Sequence, residues 1–380
     1  MSDLPPEIQQ RLPDGRIPVL TFLTITLPKV VTTNCIAQSN KYVSPLPPNS
    51  KDIDEMLTLA IPPPDVVYAL QHLIGKPERS VVSIICPHVA VASGKRYPLM
   101  VVLSWVRFLE LRGIQSKWKG AVDTLQRRIV LEPGSVLVRE ALQALSYLPW
   151  SGYIEGLESK VETHNLSAFF TTEWLSDDHE ELMLELLKID LRNAGQHDIL
   201  VEHTAFILLL AAAHADRQNY ALDRHYAWLR MRGEDLAMGR KSSLATIINQ
   251  NGNHWVGTVI DFKTGRTFYG DPLGNPMSTN LQEIIVWWIG YHTGSSFPHH
   301  NLPISHQLDT HSCGILIWDA LRCFLLKMKP QLMDANQMDD SRLKIFLRLV
   351  GPYRDNQVDT MIHLKNSTHR AIVGNQPSNG

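Results

Sequence analysis

The chain has 380 residues, 44% of them hydrophobic and 19% charged, enough apolar material for one large core or two smaller ones. Its formal net charge of -2 provides no global field that would draw it onto nucleic acid or an anionic membrane, so neither is expected as a partner. The opening MSDLPPEIQQ lacks the features of a secretory signal, and the longest apolar runs, residues 99–105 and 205–213, fall well short of the roughly 20 residues that cross a bilayer. Four cysteines, Cys35, Cys86, Cys313 and Cys323, form neither a CxxC pair nor a disulfide framework. An intracellular protein of the nucleus or cytoplasm, not secreted, is expected, with each thiol to be judged singly.

In chain order, residues 1–63 read as a proline-rich, partly ordered leader with one strand over 19–27. Residues 64–147 read as a mainly helical region of unassigned role. Within it a helix is predicted over 64–74, with Pro64 at its entry and Gly75 at its exit, then a strand over 81–85 and helices over 99–111 and 136–147. Arg112, Lys117, Lys119, Arg127 and Arg128, with Trp118 among them, read as a solvated helix face rather than a nucleic-acid contact. The texture changes near residue 148, and short β-rich and helical segments alternate with glycine turns over 148–350. Residues 351–380 read as a C-terminal tail.

Three segments of the second half carry chemistry. In FFTTEWLSDDHEELMLELL, Asp177 with Glu180 matches a helix capping box, and Leu182, Met183, Leu186 and Leu187 form the apolar face behind it. In SSLATIINQNGNHWVGTVIDFKTGRTFYGDPLG, β-branched and aromatic runs at 244–248, 255–260 and 267–270 are separated by turn residues, which predicts a three-stranded antiparallel meander. His254 opens its second strand and Asp271 closes its third. A hairpin folded about 262–263 sets the two directly opposite, whereas one folded about Thr264 sets Asp271 against Gly257, so the register stays open.

In HQLDTHSCGILIWDALRCFLL, residues 315–326 are apolar nearly all round, as in a buried helix. Cys313 stands at its N-terminal end, where the helix dipole favours a thiolate, and Gly314 beside it leaves room for a substrate backbone. Cys323, further along, reads as an inert core thiol. His299, His300, His306 and His311 crowd the same region, but no pair has the spacing of a structural zinc site, and no metal is expected. Singly, each of these residues has an ordinary structural reading. Jointly, a strand-borne His, an Asp on the neighbouring strand and a Cys heading a buried helix point to a nucleophilic cysteine.

At these residues the sequence resembles the C-terminal catalytic domain of the ubiquitin-like-protein-specific (SUMO/sentrin-type) cysteine protease family, as a divergent member. His254-Trp255 is similar to the family's catalytic His and following Trp, and Asp271 to its triad carboxylate. Gln307, six residues before Cys313-Gly314, is similar to its Gln-x-x-x-x-x-Cys-Gly signature, and Trp174-Leu175-Ser176-Asp177 to its Trp-Leu-x-Asp stretch. Two positions depart from the usual pattern: Ser312 precedes Cys-Gly where many members have Asp or Asn, and Pro272 follows the Asp where many have Ser.

The resemblance implies an α+β fold of the papain-like superfamily, a mixed sheet packed between helices with the nucleophile at the head of a central helix. It implies a peptidase or isopeptidase that cleaves after the Gly-Gly tail of a ubiquitin-like protein, SUMO-like foremost, with that protein and its conjugates as partners and no small-molecule cofactor. Cys313 is then the nucleophile, His254 its base, Asp271 the orienting carboxylate, and Gln307 an oxyanion donor. Trp174, Asp177, Trp255 and Gly314 are the implied substrate contacts, the two indoles lying on either side of a groove that leads to Cys313. An acyltransferase with the same residues and a non-catalytic binding module are the alternatives.

Overall fold

The computed structural model describes residues 4–31, 39–74, 81–86, 94–327 and 332–354. Cys35, Gly75 and the tail from residue 355 lie outside them. Contacts divide the chain into two compact units, Met1–Gly120 and Ala121–Gly380.

The first unit carries short helices α1 (Pro6–Gln9), α2 (Val19–Phe22) and α3 (Ile53–Thr58), then α4 (Pro64–Ile74). A small antiparallel sheet joins β1 (Val43–Ser44), β2 (Ser83–Ile85) and β3 (Arg96–Tyr97) in that order. The predicted strand over 19–27 is instead α2. Pro18 presets its entry, and the Phe22 N–H closes a turn onto the Pro18 carbonyl at 2.9 Å. The proline-rich leader contributes Ile8, Val19, Phe22, Met56 and Ile61 to buried positions. The helix predicted over 99–111 runs on as α5 (Met100–Leu131), because the basic stretch that follows holds no proline and its Lys, Arg, Gln and Leu residues carry the helix past Gly113 and Gly120.

The second unit adds α6 (Val136–Ala144), α7 (Asp177–Asn193), β4 (Ile199–Val201), α8 (Phe206–Ala215) and α9 (Ala227–Ala237). The meander follows as β5 (Ser243–Gln250), β6 (His254–Asp261) and β7 (Arg266–Gly270). After it come α10 (Thr279–Thr293), β8 (His299–Asn301), α11 (Cys313–Leu325) and α12 (Met338–Leu349). The strands form one sheet ordered β4-β5-β6-β7-β8, antiparallel through the meander and parallel at both edges. This is the mixed α+β architecture expected from the sequence.

The central strand β6 is buried along nearly its whole length, so its alternate residues face two different layers. Val256 and Ile260 join a core with Phe206, Leu210, Leu229, Ile285 and Trp288 from α8, α9 and α10. Gly257 points the other way, where an added Cβ would meet Ile317 of α11 at 2.5 Å. At Gly270, paired with Gly257 across the hairpin, an added Cβ would meet Leu302 at 3.1 Å and Ile317 at 3.3 Å. Two glycines facing each other thus make a notch that seats α11 against the sheet. On α11, Trp318 donates its indole N–H to the Met183 carbonyl at 2.6 Å, and Arg322 pairs with Asp190 at 2.7 Å, which fixes the helix to α7 as well.

Candidate active site

Cys313 is the first residue of α11 and is buried. It stands four residues before Ile317, hence on the same helix face and about 6 Å nearer the helix start. Since Ile317 sits in the Gly257 notch, that face directs Cys313 toward the beginning of β6, where the Trp255 N–H reaches the thiol. The loop ahead of it is shaped by Asp309, whose Oδ1 accepts the N–H groups of His311 and Ser312 at 2.9 Å each while Oδ2 accepts the Ser312 hydroxyl at 2.6 Å. Burial works to raise the Asp309 carboxyl, but these hydrogen bonds outweigh it and hold the carboxyl below its ordinary value.

The hairpin register matches neither alternative left open by the sequence. Asp261 pairs with Arg266 and Gly257 with Gly270, so the turn is centred between Lys263 and Thr264, closed by Asp261 accepting their N–H groups at 3.0 and 3.1 Å. No bulge intervenes at Gly265, which takes φ 64 within the turn. Continued by one residue, this register sets Asp271 opposite Val256, diagonal to His254 and on the same side of the ribbon. The diagonal is close enough: His254 Nε2 bonds Asp271 Oδ1 at 2.7 Å. The buried carboxylate also accepts the Leu273 N–H at 2.7 Å and the Asn275 amide at 3.0 Å. The imidazole is therefore held through Nε2, leaving Nδ1 as its other working atom. Among the described residues no hydrogen bond joins Cys313 to His254.

The thiol itself departs from expectation. Burial pushes the Cys313 thiol up, the Trp255 N–H draws it back down, and Glu180 adds to the rise. The Trp174 indole and the Gly314 N–H lower it further, but not enough to cancel the burial. The helix-end effect read from sequence does not win in this site.

Gln307 is tied into the same corner. Its N–H donates to the Pro272 carbonyl at 2.9 Å, and its side-chain Nε2 donates to the Asp309 carbonyl at 2.6 Å, while Oε1 is buried with no partner among the described residues. Trp255 is completely buried, donates its indole N–H to the Leu175 carbonyl at 2.8 Å, and stacks on Trp174 with ring centres 5.6 Å apart and planes 19° from parallel. The two indoles thus lie on each other, not on opposite sides of a groove, and only the half-buried Trp174 has surface to offer a ligand.

Asp177 is exposed as the first residue of α7 but is not its cap. The cap is Ser176, whose N–H and hydroxyl both lie on His179 Nδ1, at 3.1 and 2.8 Å. The predicted Asp177–Glu180 box is therefore displaced by one residue, which leaves Glu180 free to turn inward. There its carboxyl lies against Gly314, so the space expected to admit a substrate backbone is filled from within the chain.

Sequence reasoning missed Arg342. Its guanidinium is buried and donates to four backbone carbonyls, those of Ala168, Thr171, Glu173 and His311, at 2.9 to 3.0 Å. One side chain thereby joins the approach to Trp174 and the approach to Cys313. The signal was present: Arg342 falls on the stripe of Ile345, Phe346 and Leu349, three, four and seven residues on, which a solvated arginine would avoid. Among the described residues no cluster of three or more His, Cys, Asp or Glu could hold a metal ion, and no helix is long and apolar enough to cross a membrane.

Residues 173–350 match the Ulp1 protease family, C-terminal catalytic domain. This stretch of the chain belongs to that family. The Ulp1-family segment begins one residue before Trp174 and ends one residue after α12, so it spans the sheet, α7 and α11. A cysteine-type peptidase follows from the membership. No curated protein matches the chain.

Among solved structures, the C-terminal Ulp1 protease domain in complex with Smt3, the yeast ortholog of SUMO, is 16% identical, with a TM-score of 0.43, covering 56% of this chain and 93% of that one. The Xanthomonas campestris effector XopD bound to ubiquitin is 20% identical, with a TM-score of 0.34, covering 46% and 91%. The catalytic domain of the Chaetomium thermophilum Ulp1-like SUMO protease is 14% identical, with a TM-score of 0.39, covering 47% and 73%. At these scores the likeness adds no weight of its own. The family match and the sheet topology carry the fold.

Proposed function

We propose that this protein is a peptidase and isopeptidase that cleaves after the Gly-Gly tail of a ubiquitin-like protein, SUMO-like foremost, with that protein and its conjugates as its partners in the nucleus or cytoplasm. The observation that carries the reading is the 2.7 Å bond from His254 to the buried Asp271, together with a buried cysteine that heads α11, in a segment that matches a protease family.

In the reaction, His254 Nδ1 takes the proton of Cys313 while Asp271 holds the ring and stabilises the imidazolium. The thiolate attacks the carbonyl carbon of the terminal glycine. The negative charge that develops on that oxygen is met by the Cys313 N–H and by the second hydrogen of the Gln307 amide, the first being engaged by the Asp309 carbonyl. Loss of one such donor costs on the order of 3 kcal/mol of barrier, roughly a hundredfold in rate. The imidazolium returns its proton to the leaving amine, and the C–N bond breaks to give a thioester. Water, deprotonated by His254, then attacks the thioester, releases the glycine carboxylate and restores the thiol. None of these steps calls for a metal or a small-molecule cofactor.

Trp174, supported from below by Trp255, is assigned to cover the extended tail, and Asp177 at the exposed start of α7 to meet a basic residue upstream in it. Flat indole cover leaves room for backbone but not for a Cβ. A substrate whose penultimate tail glycine is replaced by alanine should therefore be turned over far more slowly. Equal turnover of the two tails would remove the restriction to ubiquitin-like substrates.

A further inference from the structure

Glu180 is the most unusual side chain near the nucleophile. It is fully buried, and neither carboxyl oxygen has a hydrogen-bond partner among the described residues. Its carboxyl lies so close over Gly314 that a Cβ there would overlap it, which places it one residue from Cys313. Its place on α7 is no accident of the helix surface, because Met183, Leu184 and Leu187 continue the same buried stripe three, four and seven residues on. A buried carboxyl without partners is costly as an ion and far less costly as a neutral acid.

Arg342 faces Glu180 from α12 and Cys313 faces it from α11, while Asp177 and Glu181 lie on its own helix. Arg342 supplies the only positive charge among these, and its four bonds run to neutral carbonyls with no carboxylate attached. Asp309 and Asp339 also act on this cation, and buried beside it stand two further acids, Glu180 and Cys313, close to each other.

We propose that Glu180 is a positioning residue for the nucleophile: its protonated form permits Cys313 to ionise, and its carboxylate holds Cys313 as a thiol. This rests on Cys313 being the nucleophile. The thiolate–imidazolium pair with His254 is formed when Glu180 is neutral, so that no second buried charge at the side of sulfur draws on Arg342. When Glu180 is ionised instead, a second negative charge beside sulfur would have to share that one cation, and the proton stays on the thiol. Two further observations agree with this picture. Burial drives the Glu180 carboxyl well above its ordinary value against the opposing pull of Arg342, so the neutral form extends toward working pH. The charge of Glu180 is also one of the causes that raise the Cys313 thiol.

The test is the pH dependence of alkylation at Cys313 by iodoacetamide in the full chain, with the modified peptide identified by mass spectrometry. Glu180→Gln keeps the shape and fixes the neutral state. The midpoint of Cys313 alkylation should move to lower pH by about one unit, so that alkylation below the midpoint is roughly tenfold faster than in wild type. An unchanged midpoint in folded Glu180→Gln, with the label still on Cys313, overturns the proposal and leaves the nucleophile assignment standing. A label that falls on Cys323 in wild type overturns the nucleophile assignment instead.

If Glu180→Gln does not fold, the coupling is read from the other side, in Cys313→Ala, which removes only a sulfur atom. The protonated-carboxyl infrared band of Glu180 should then disappear at lower pH than in wild type, because no thiolate competes for Arg342. A band with the same pH dependence in both proteins contradicts the coupling.

Discussion

Replacing Asp271 by Asn separates the orientation of His254 from its presence. Asp271 is buried and accepts three donors: His254 Nε2 at 2.7 Å, the Leu273 N–H at 2.7 Å and the Asn275 amide at 3.0 Å. Asparagine keeps one acceptor oxygen, which can still serve His254 and Leu273, but turns an NH2 group toward the Asn275 amide. The fold should therefore lose only about 1 to 3 kcal/mol, the cost of one mispaired buried donor. The catalytic loss should be larger. A hydrogen bond to a charged partner contributes about 1.5 to 3 kcal/mol, so losing the charge-assisted part alone removes roughly ten- to 150-fold from the rate. A neutral amide also no longer stabilises the imidazolium or enforces the tautomer with Nδ1 free, which in triads of this kind extends the loss to on the order of 10⁴. The assay is turnover of a ubiquitin-like protein carrying a C-terminal fluorogenic amide, alongside alkylation of Cys313 across pH. Near-wild-type turnover in the folded Asn variant would refute the role of Asp271 and the register argument that placed it.

Cys323→Ala should leave turnover almost intact, because burial, followed by the charge of Asp319, pushes that thiol to about 11 and keeps it inert. Alkylation mapping should accordingly find Cys313 modified first. Arg342→Ala orphans four backbone carbonyls and should lower stability by about 3 to 5 kcal/mol in a urea titration, while Arg342→Lys, with only three donors, recovers part of this. Trp255→Ala opens a cavity beneath Trp174 and should cost about 3 to 5 kcal/mol, again read from the urea midpoint, with turnover falling as Trp174 loses its support.

Much of the site was legible because its signals are local. β-Branched runs broken at Asn251-Gly252 and Gly265 announce the meander, and an apolar run following Cys313-Gly314 announces a buried helix with the thiol at its head. The register was not legible, since the hairpin centre depends on how Asp261 folds over the turn, and a shift of one residue changes the partner of Asp271. The apolar run that marks a buried helix ends at residue 111, while the helix continues through the basic face to Leu131, because lysine and arginine propagate a helix nearly as well as leucine does. Glu180 and Arg342 are the instructive misses. Each is a charged residue on an apolar stripe, and periodicity counted only over hydrophobic residues passes over both. The Ser176–His179 cap was hidden by the stronger Asp–Glu pattern one residue later. The close approach of Glu180 to Gly314 joins residues far apart in sequence, and no local pattern encodes it.

The central claim is that Cys313, driven by His254, attacks the carbonyl at the end of a ubiquitin-like tail. The most direct measurement is to incubate the full chain with a panel of ubiquitin-like proteins bearing C-terminal electrophiles and to map the covalent adduct. The account predicts an adduct on Cys313 with at least one member, a SUMO-like protein foremost, lost in Cys313→Ala and strongly slowed in His254→Ala. An adduct on Cys323, or none with any member while Cys313 remains open to iodoacetamide, would contradict it.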